Sequence, residues 1–185
     1  MLHDVLSALH QWKDRPSVGI VTSDAYATQL ANEYKFGIIP DPENPGETGA
    51  IEMATQVCVE RGEDSTLIIP ADIPLIQPWE LEEIYKQAPA EGTVLVPAGD
   101  GRGTNAAFRR PANLFPLRFG NDSFKPHHAA AQATGQPCLI LNLPGIAVDI
   151  DNPEDLQQLI AAPGNTRAQR LAREYVRMGK IPPPV

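Results

Sequence analysis

Three aspartates stand where an α/β chain would place chemistry. Asp72 follows the apolar run LIIPAD, and Asp149 and Asp151 close the run IAVDID. If the two runs are neighbouring strands, three carboxylates meet at one sheet edge. Close carboxylates repel, a divalent cation relieves that repulsion, and an oxygen-only ligand set suits magnesium, Mg2+. The same residues fit a simpler role, with Asp72 opening a turn before Pro74 and Asp151 helping to cap a helix that starts at Pro153.

A second chemistry is suggested by GDGRGTNAAFRRP, Gly99 to Pro111. Gly99, Gly101 and Gly103 would let backbone N–H groups turn toward a phosphate, as in an anion-binding nest, although an ordinary strand-to-strand turn has the same composition. The stretch FGNDSF repeats the idea: Gly120 permits close approach, and Ser123 can cap a helix whose positive end attracts anions. His127 and His128 follow as candidate phosphate contacts, or, more simply, as solvated helix residues. From Gly99 to His128 five cations face two aspartates, so this segment is +3 while the rest of the chain is −11. A locally basic segment in an acidic chain suggests a small anionic ligand. Lys13 reads as surface charge, and no Ser-His-Asp or Cys-His pattern is evident.

These residues need elements to hold them. Leu2, Val5, Leu6 and Leu9 recur at helical spacing, so a helix is expected from Met1 to about Asp14. A buried strand is expected over Ser17–Ser23, then a helix capped by Ser23 or Asp24 and a short strand in FGIIP. DPENPGET is a turn-rich loop before a helix from about Thr48 to Arg61. Strand STLIIP, helix Pro78–Gln87, strand GTVLVP and a short strand Asn105–Arg109 follow. Ser123 then leads a helix to about Thr134, CLILNL and IAVDID read as strands, and Asn152-Pro153 starts a helix to about Ala161. Strands alternating with helices imply an α/β fold with a mostly parallel, doubly wound sheet, whose ligands bind beyond the carboxyl ends of the strands. Residues 1–162 read as the domain proper, and 163–185 as a C-terminal helix with a loose proline-rich tail.

Composition narrows the function classes. A length of 185 residues with 42% hydrophobic content fits one domain with a real core. The net charge of −8 argues against binding a nucleic-acid polymer. No stretch approaches a membrane span, the N-terminus lacks a secretory pattern, and Cys58 and Cys138 have no neighbours at metal-ligand spacing. A reduced, cytoplasmic protein is expected, with a homodimer left open.

In this order and spacing PADIPLI, GDGRGTNAAFRRP, FGNDSF followed by histidine, and VDIDNPEDL resemble the CofC guanylyltransferase family of coenzyme F-420 biosynthesis, from Met1 to about Leu159. The resemblance implies a GT-A-like, Rossmann-like nucleotidyltransferase. Such an enzyme joins GMP from GTP to 2-phospho-L-lactate, phosphoenolpyruvate or 3-phosphoglycerate and releases pyrophosphate. It makes Asp72, Asp149 and Asp151 the magnesium-binding carboxylates, and Thr104, Gly120 and Ser123 the residues that hold the phosphoacid, with Arg102 near enough in sequence to help. Two departures stand out. The family's first strand and its PVK…AKSRL-like nucleotide-phosphate loop precede the part that MLHDVL resembles, so a central strand and that loop are expected to be lacking. Near Thr48 and Gly49, where many relatives carry Leu-Asn, this chain reads GETGAIEMA, leaving Thr48, Gly49 and Ala50 as base-side residues or as an ordinary helix N-terminus. The competing expectations are a non-catalytic phosphometabolite-binding protein and another nucleotidyltransferase of the same fold.

Overall fold

The apolar stripe of the first helix, α1 (Leu2–Gln11), buries Val5, Leu6, Ala8 and Leu9, as the spacing requires. The computed structural model describes residues 1–43, 46–120 and 122–182. Asn44 and Pro45 of the turn-rich loop, Asn121 of FGNDSF and the end of the proline-rich tail lie outside the described residues. After α1 come β1 (Gly19–Thr22), α2 (Ala25–Tyr34), β2 (Gly37–Pro40), α3 (Glu47–Glu60), β3 (Thr66–Ile68), α4 (Pro78–Gln87), β4 (Gly92–Pro97) and β5 (Thr104–Arg110). The order ends with α5 (Phe124–Ala133), β6 (Cys138–Ile140), α6 (Pro153–Ala161) and α7 (Arg167–Arg177). Local chemistry sets several boundaries. Asp24 accepts a hydrogen bond from the Ala27 amide at the start of α2, and Asn152 accepts one from the Asp155 amide at the start of α6.

The four-stranded sheet has the order β3-β5-β4-β6. Strands β4 and β6 are parallel, whereas β5 is antiparallel to both of its neighbours. Because β5 runs backwards, its first residue, Thr104, falls at the edge where β4 ends, pairing with Pro97. Side chains of β4 alternate between two cores. Val94 and Val96 join Leu6, Leu81, Ile84 and Phe108 on one face, while Leu95 joins Ala107, Phe115, Leu117 and Ala131 on the other. Burial on both faces explains why VLV is an unbroken apolar run.

Two sequence expectations need correction. IAVDID is not a strand: Leu143 to Ala147 forms a turn and the chain continues as coil, with the Ile150 amide donating singly to the Asp72 carbonyl at 3.2 Å. The expected buried strand around Ile20 is only partly buried, because β1 pairs with β2 alone in a separate parallel sheet. Among the described residues no ladder joins β1 to β3, although Ser17 Oγ and the Glu63 carboxylate approach to 3.4 Å at their starts. At the C-terminal end, α7 docks through Asp4 of α1, whose carboxylate accepts from the Arg167 and Ala168 amides, and through Gln169, which donates to the Leu159 and Ala162 carbonyls.

Candidate active site

The acidic side of the site is built at the end of β3. Asp72 lies four residues beyond Ile68, half-buried, and its Oδ1 is buried without a hydrogen-bond partner. Asp149 is held by Asn105 of β5, whose Nδ2 donates to Asp149 Oδ1 at 3.1 Å and to the Ile146 carbonyl at 2.9 Å. Asp151 is exposed. Burial raises the Asp72 carboxyl above the ordinary range, and the charges of Asp151 and Asp149 push the same way. A fourth carboxylate joins them. Glu47, the first residue of α3, is raised by partial burial and then by Asp72 and Asp151, which places it in the same field.

The carboxylates share one edge without forming a closed cage. Among the described residues no three His, Cys, Asp or Glu side chains converge closely enough to hold a metal ion. Magnesium needs no such cage, since it is commonly held by one or two carboxylates plus substrate phosphates and water. The orphaned Asp72 oxygen beside two further aspartates fits a cation of that kind.

The other side is built from hydroxyl groups. Thr104 and Ser123 are both 4% exposed, and the Thr104 amide donates to Ser123 Oγ at 3.1 Å. Ser123 therefore stands at the start of α5 without capping it, a correction to its expected role. Gly120, with φ at +125°, supplies a backbone turn that other residues adopt only with strain. Thr48 braces this loop from α3: its Oγ1 accepts from the Phe119 amide at 3.0 Å and reaches the Phe119 carbonyl at 3.3 Å. That hydroxyl is spent on the loop, whereas Gly49 and Ala50 sit beside it in the first turn of α3.

His127 is the main surprise. Read as a solvated helix position, it is in fact 1% exposed, with Nε2 accepting from the Arg118 amide at 2.8 Å and Nδ1 2.9 Å from Thr104 Oγ1. Burial, and then the Arg109 charge, push its imidazole down to about 4. Spacing from Ser123 is the available signal, because residues four apart share a helix face.

The glycine nest is not formed. The Gly99 amide donates to the Ala147 carbonyl, Gly101 to Ala98, and Gly103 weakly to Asp100 Oδ1, so the glycines make a hairpin turn with their N–H groups occupied. Arg102 is exposed, with Nε 2.8 Å from Asp100 and 3.8 Å from Asp122. Arg109 is buried against Thr55, Thr66 and the Phe115 carbonyl, and Arg110 lies 3.6 Å from Asp64. These three arginines are thus scattered instead of forming one basic face.

Residues 1–181 match the family model described as guanylyl transferase CofC like. The chain belongs to this CofC-like family. It is 36% identical over 178 residues to a phosphoenolpyruvate guanylyltransferase from Roseiflexus castenholzii, covering 95% of this chain and 80% of that protein. It is 30% identical to a 3-phospho-D-glycerate guanylyltransferase from Colwellia psychrerythraea, with 94% and 83% covered, and 25% identical to a 2-phospho-L-lactate guanylyltransferase from Methanobrevibacter smithii, with 94% and 75% covered. A nucleotide-diphospho-sugar transferase structure from Desulfovibrio desulfuricans G20 superposes with a TM-score of 0.73 at 18% identity, over 96% of this chain and 83% of that one. The fold of this CofC-like chain is therefore the nucleotidyltransferase α/β type that its motifs suggest.

Proposed function

We propose that this CofC-like chain transfers GMP from GTP to a small phosphorylated three-carbon acid, in coenzyme F-420 biosynthesis within the cytoplasm. One observation carries the reading beyond family membership. Consecutive residues of β5 hold two unlike half-sites at one sheet edge: Asn105 restrains Asp149 of the acidic group, and Thr104 joins Ser123 and His127 on the hydroxyl side. Clustered carboxylates beside hydroxyl donors suit a reaction that brings two polyanions together.

In this reading the acceptor lies against Thr104, Gly120 and Ser123, and the nucleotide enters on the α3 side past Gly49 and Ala50. An acceptor phosphate oxygen attacks the α-phosphorus of GTP in line. The new O–P bond forms as the bond to the bridging oxygen breaks, and the electron pair leaves with pyrophosphate. A phosphate monoester with a second pKa of ~6 is mostly dianionic at neutral pH, so no side chain has to remove a proton from the nucleophile. Asp72, with help from Asp149 and Asp151, would hold Mg2+, which supplies charge neutralisation at the α-phosphate and leaving pyrophosphate when bound. Arg102 stands ready at the rim once freed from Asp100.

The test is pyrophosphate release from GTP with each of phosphoenolpyruvate, 2-phospho-L-lactate and 3-phosphoglycerate. Turnover with one of them is expected. Acid binding by calorimetry with no turnover on any of the three would replace this reading with a non-catalytic phosphometabolite-binding protein.

A further inference from the structure

The two hydroxyls of the acceptor side have their directions set by the protein. A backbone N–H can only donate, so the Arg118 amide requires His127 Nε2 to be the bare, accepting nitrogen. A neutral imidazole then carries its proton on Nδ1, and that proton points at Thr104 Oγ1, 2.9 Å away. Thr104 accepts from His127, which leaves its own O–H to donate elsewhere. Among the described residues no acceptor takes it. Ser123 repeats the pattern, since its Oγ accepts from the Thr104 amide. Two hydroxyls, each with a lone pair filled from inside, therefore keep a proton free to donate to a ligand.

We infer that His127 is a positioning residue that locks Thr104 as a hydrogen-bond donor to the acceptor anion. This inference rests on the acceptor site proposed above. The arrangement selects ligand chemistry. A phosphate or carboxylate, rich in acceptor oxygens, finds two donors, while an ammonium group, which can only donate, would meet protons in the same place. A doubly protonated imidazole cannot serve, because its Nε2–H would face the Arg118 N–H. Its burial and the nearby Arg109 charge keep it neutral, in agreement with the geometry. Ser123 and His127 lie four residues apart at the start of α5, so one helix face carries both the second hydroxyl and the group that orients the first.

Two measurements test this. In the wild-type chain, long-range proton–nitrogen spectra of the imidazole should show the proton on Nδ1 and a bare Nε2 at neutral pH. A proton on Nε2, or titration near the ordinary histidine value, would overturn the inference without reference to activity. The second compares His127→Asn, which keeps a donor near the place of Nδ1, with His127→Gln, which keeps an acceptor for Arg118 and loses that donor. His127→Gln should raise KM for the acid about tenfold, the scale of one hydrogen bond to a charged group, with KM for GTP unchanged, while His127→Asn should stay within about threefold. In a Thr104→Val background the same His127→Gln change should have no further effect. A purely structural histidine predicts the reverse order of the two variants, and an undiminished effect of His127→Gln when Thr104→Val is already in place. If turnover is absent, the same comparison is read from phosphoenolpyruvate dissociation constants. A wild-type chain that binds no acid overturns the acceptor site itself, whereas normal binding by His127→Gln overturns only the positioning role.

Discussion

Asp72 combines a buried, unpartnered oxygen with a carboxyl pushed toward its protonated form by its surroundings. A protein rarely leaves a buried carboxylate oxygen without a partner unless something else is meant to bind it. Asp72→Asn keeps the size of the side chain and removes the charge. It should lower guanylyl transfer by about 10²-fold or more, the scale seen when an electrostatic contact to a transition state is lost, with an unchanged unfolding transition. Asp151→Asn should act in the same direction. Rates near normal in both variants, measured by pyrophosphate release, would remove these carboxylates from the chemistry. The three aspartates are legible in the sequence because each follows an apolar run. Glu47 is not, since an acidic residue at a helix start is ordinary, and Asn105 is hidden inside a strand between Thr104 and two alanines. His127 escapes notice because KPHH looks like a solvated helix turn, and only the tertiary position of Thr104 turns it inward.

At the scale of elements, the segment carrying Asp149 and Asp151 is positioned by a seat on α4. The Glu80 carboxylate, fully buried, accepts from the Gly145 amide at 2.7 Å and from the Gln77 amide at 2.8 Å. A Cβ at residue 145 would collide with the Leu75 carbonyl oxygen and with Glu80 itself. Gly145→Ala should therefore cost about 2–3 kcal/mol in urea unfolding, as overpacking does, and reduce activity by displacing the two aspartates. Asn152→Ala, which removes only the cap of α6, should cost about 1 kcal/mol. Equal losses in the two variants would mean that the turn yields easily. The same region marks where sequence and structure part. I-x-V-x-I in IAVDID has the alternation of a half-buried strand, but its backbone bonds go to Asp72 and Asn105 instead of a ladder, a long-range outcome that alternation does not encode. Pro78–Gln87, Gly92–Pro97 and Pro153–Ala161 have the bounds that the sequence leads one to expect, because period, cap and breaker agree there.

For the whole molecule, the −8 chain gathers four carboxylates at one edge and keeps its buried cation, Arg109, on neutral hydrogen-bond partners. Acid should act on this arrangement through several groups, and one of them can be separated from the rest. The His127 imidazole is pushed down to about 4 in the folded protein, against 6.5 for an unperturbed histidine. Above pH 6.5 it is neutral in both folded and unfolded chains, and its contribution is fully present. Between 6.5 and about 4 the unfolded chain binds the proton that the folded chain refuses, so stability falls as pH falls. The raised carboxyls of Asp72, Glu47 and Glu80 work in the opposite sense, because the folded protein takes up their protons first. A wild-type curve alone therefore mixes the two signs. Urea unfolding of wild type and His127→Asn, compared at each pH from about 7.5 to about 4.5, cancels the carboxylates common to both. The wild type should lose stability relative to the variant as pH drops below 6.5, with a slope approaching about 1.4 kcal/mol per pH unit for one proton. A difference that stays flat across this window would mean that His127 accepts a proton in the folded state, and with it that Nε2 is not the bare acceptor of the Arg118 amide.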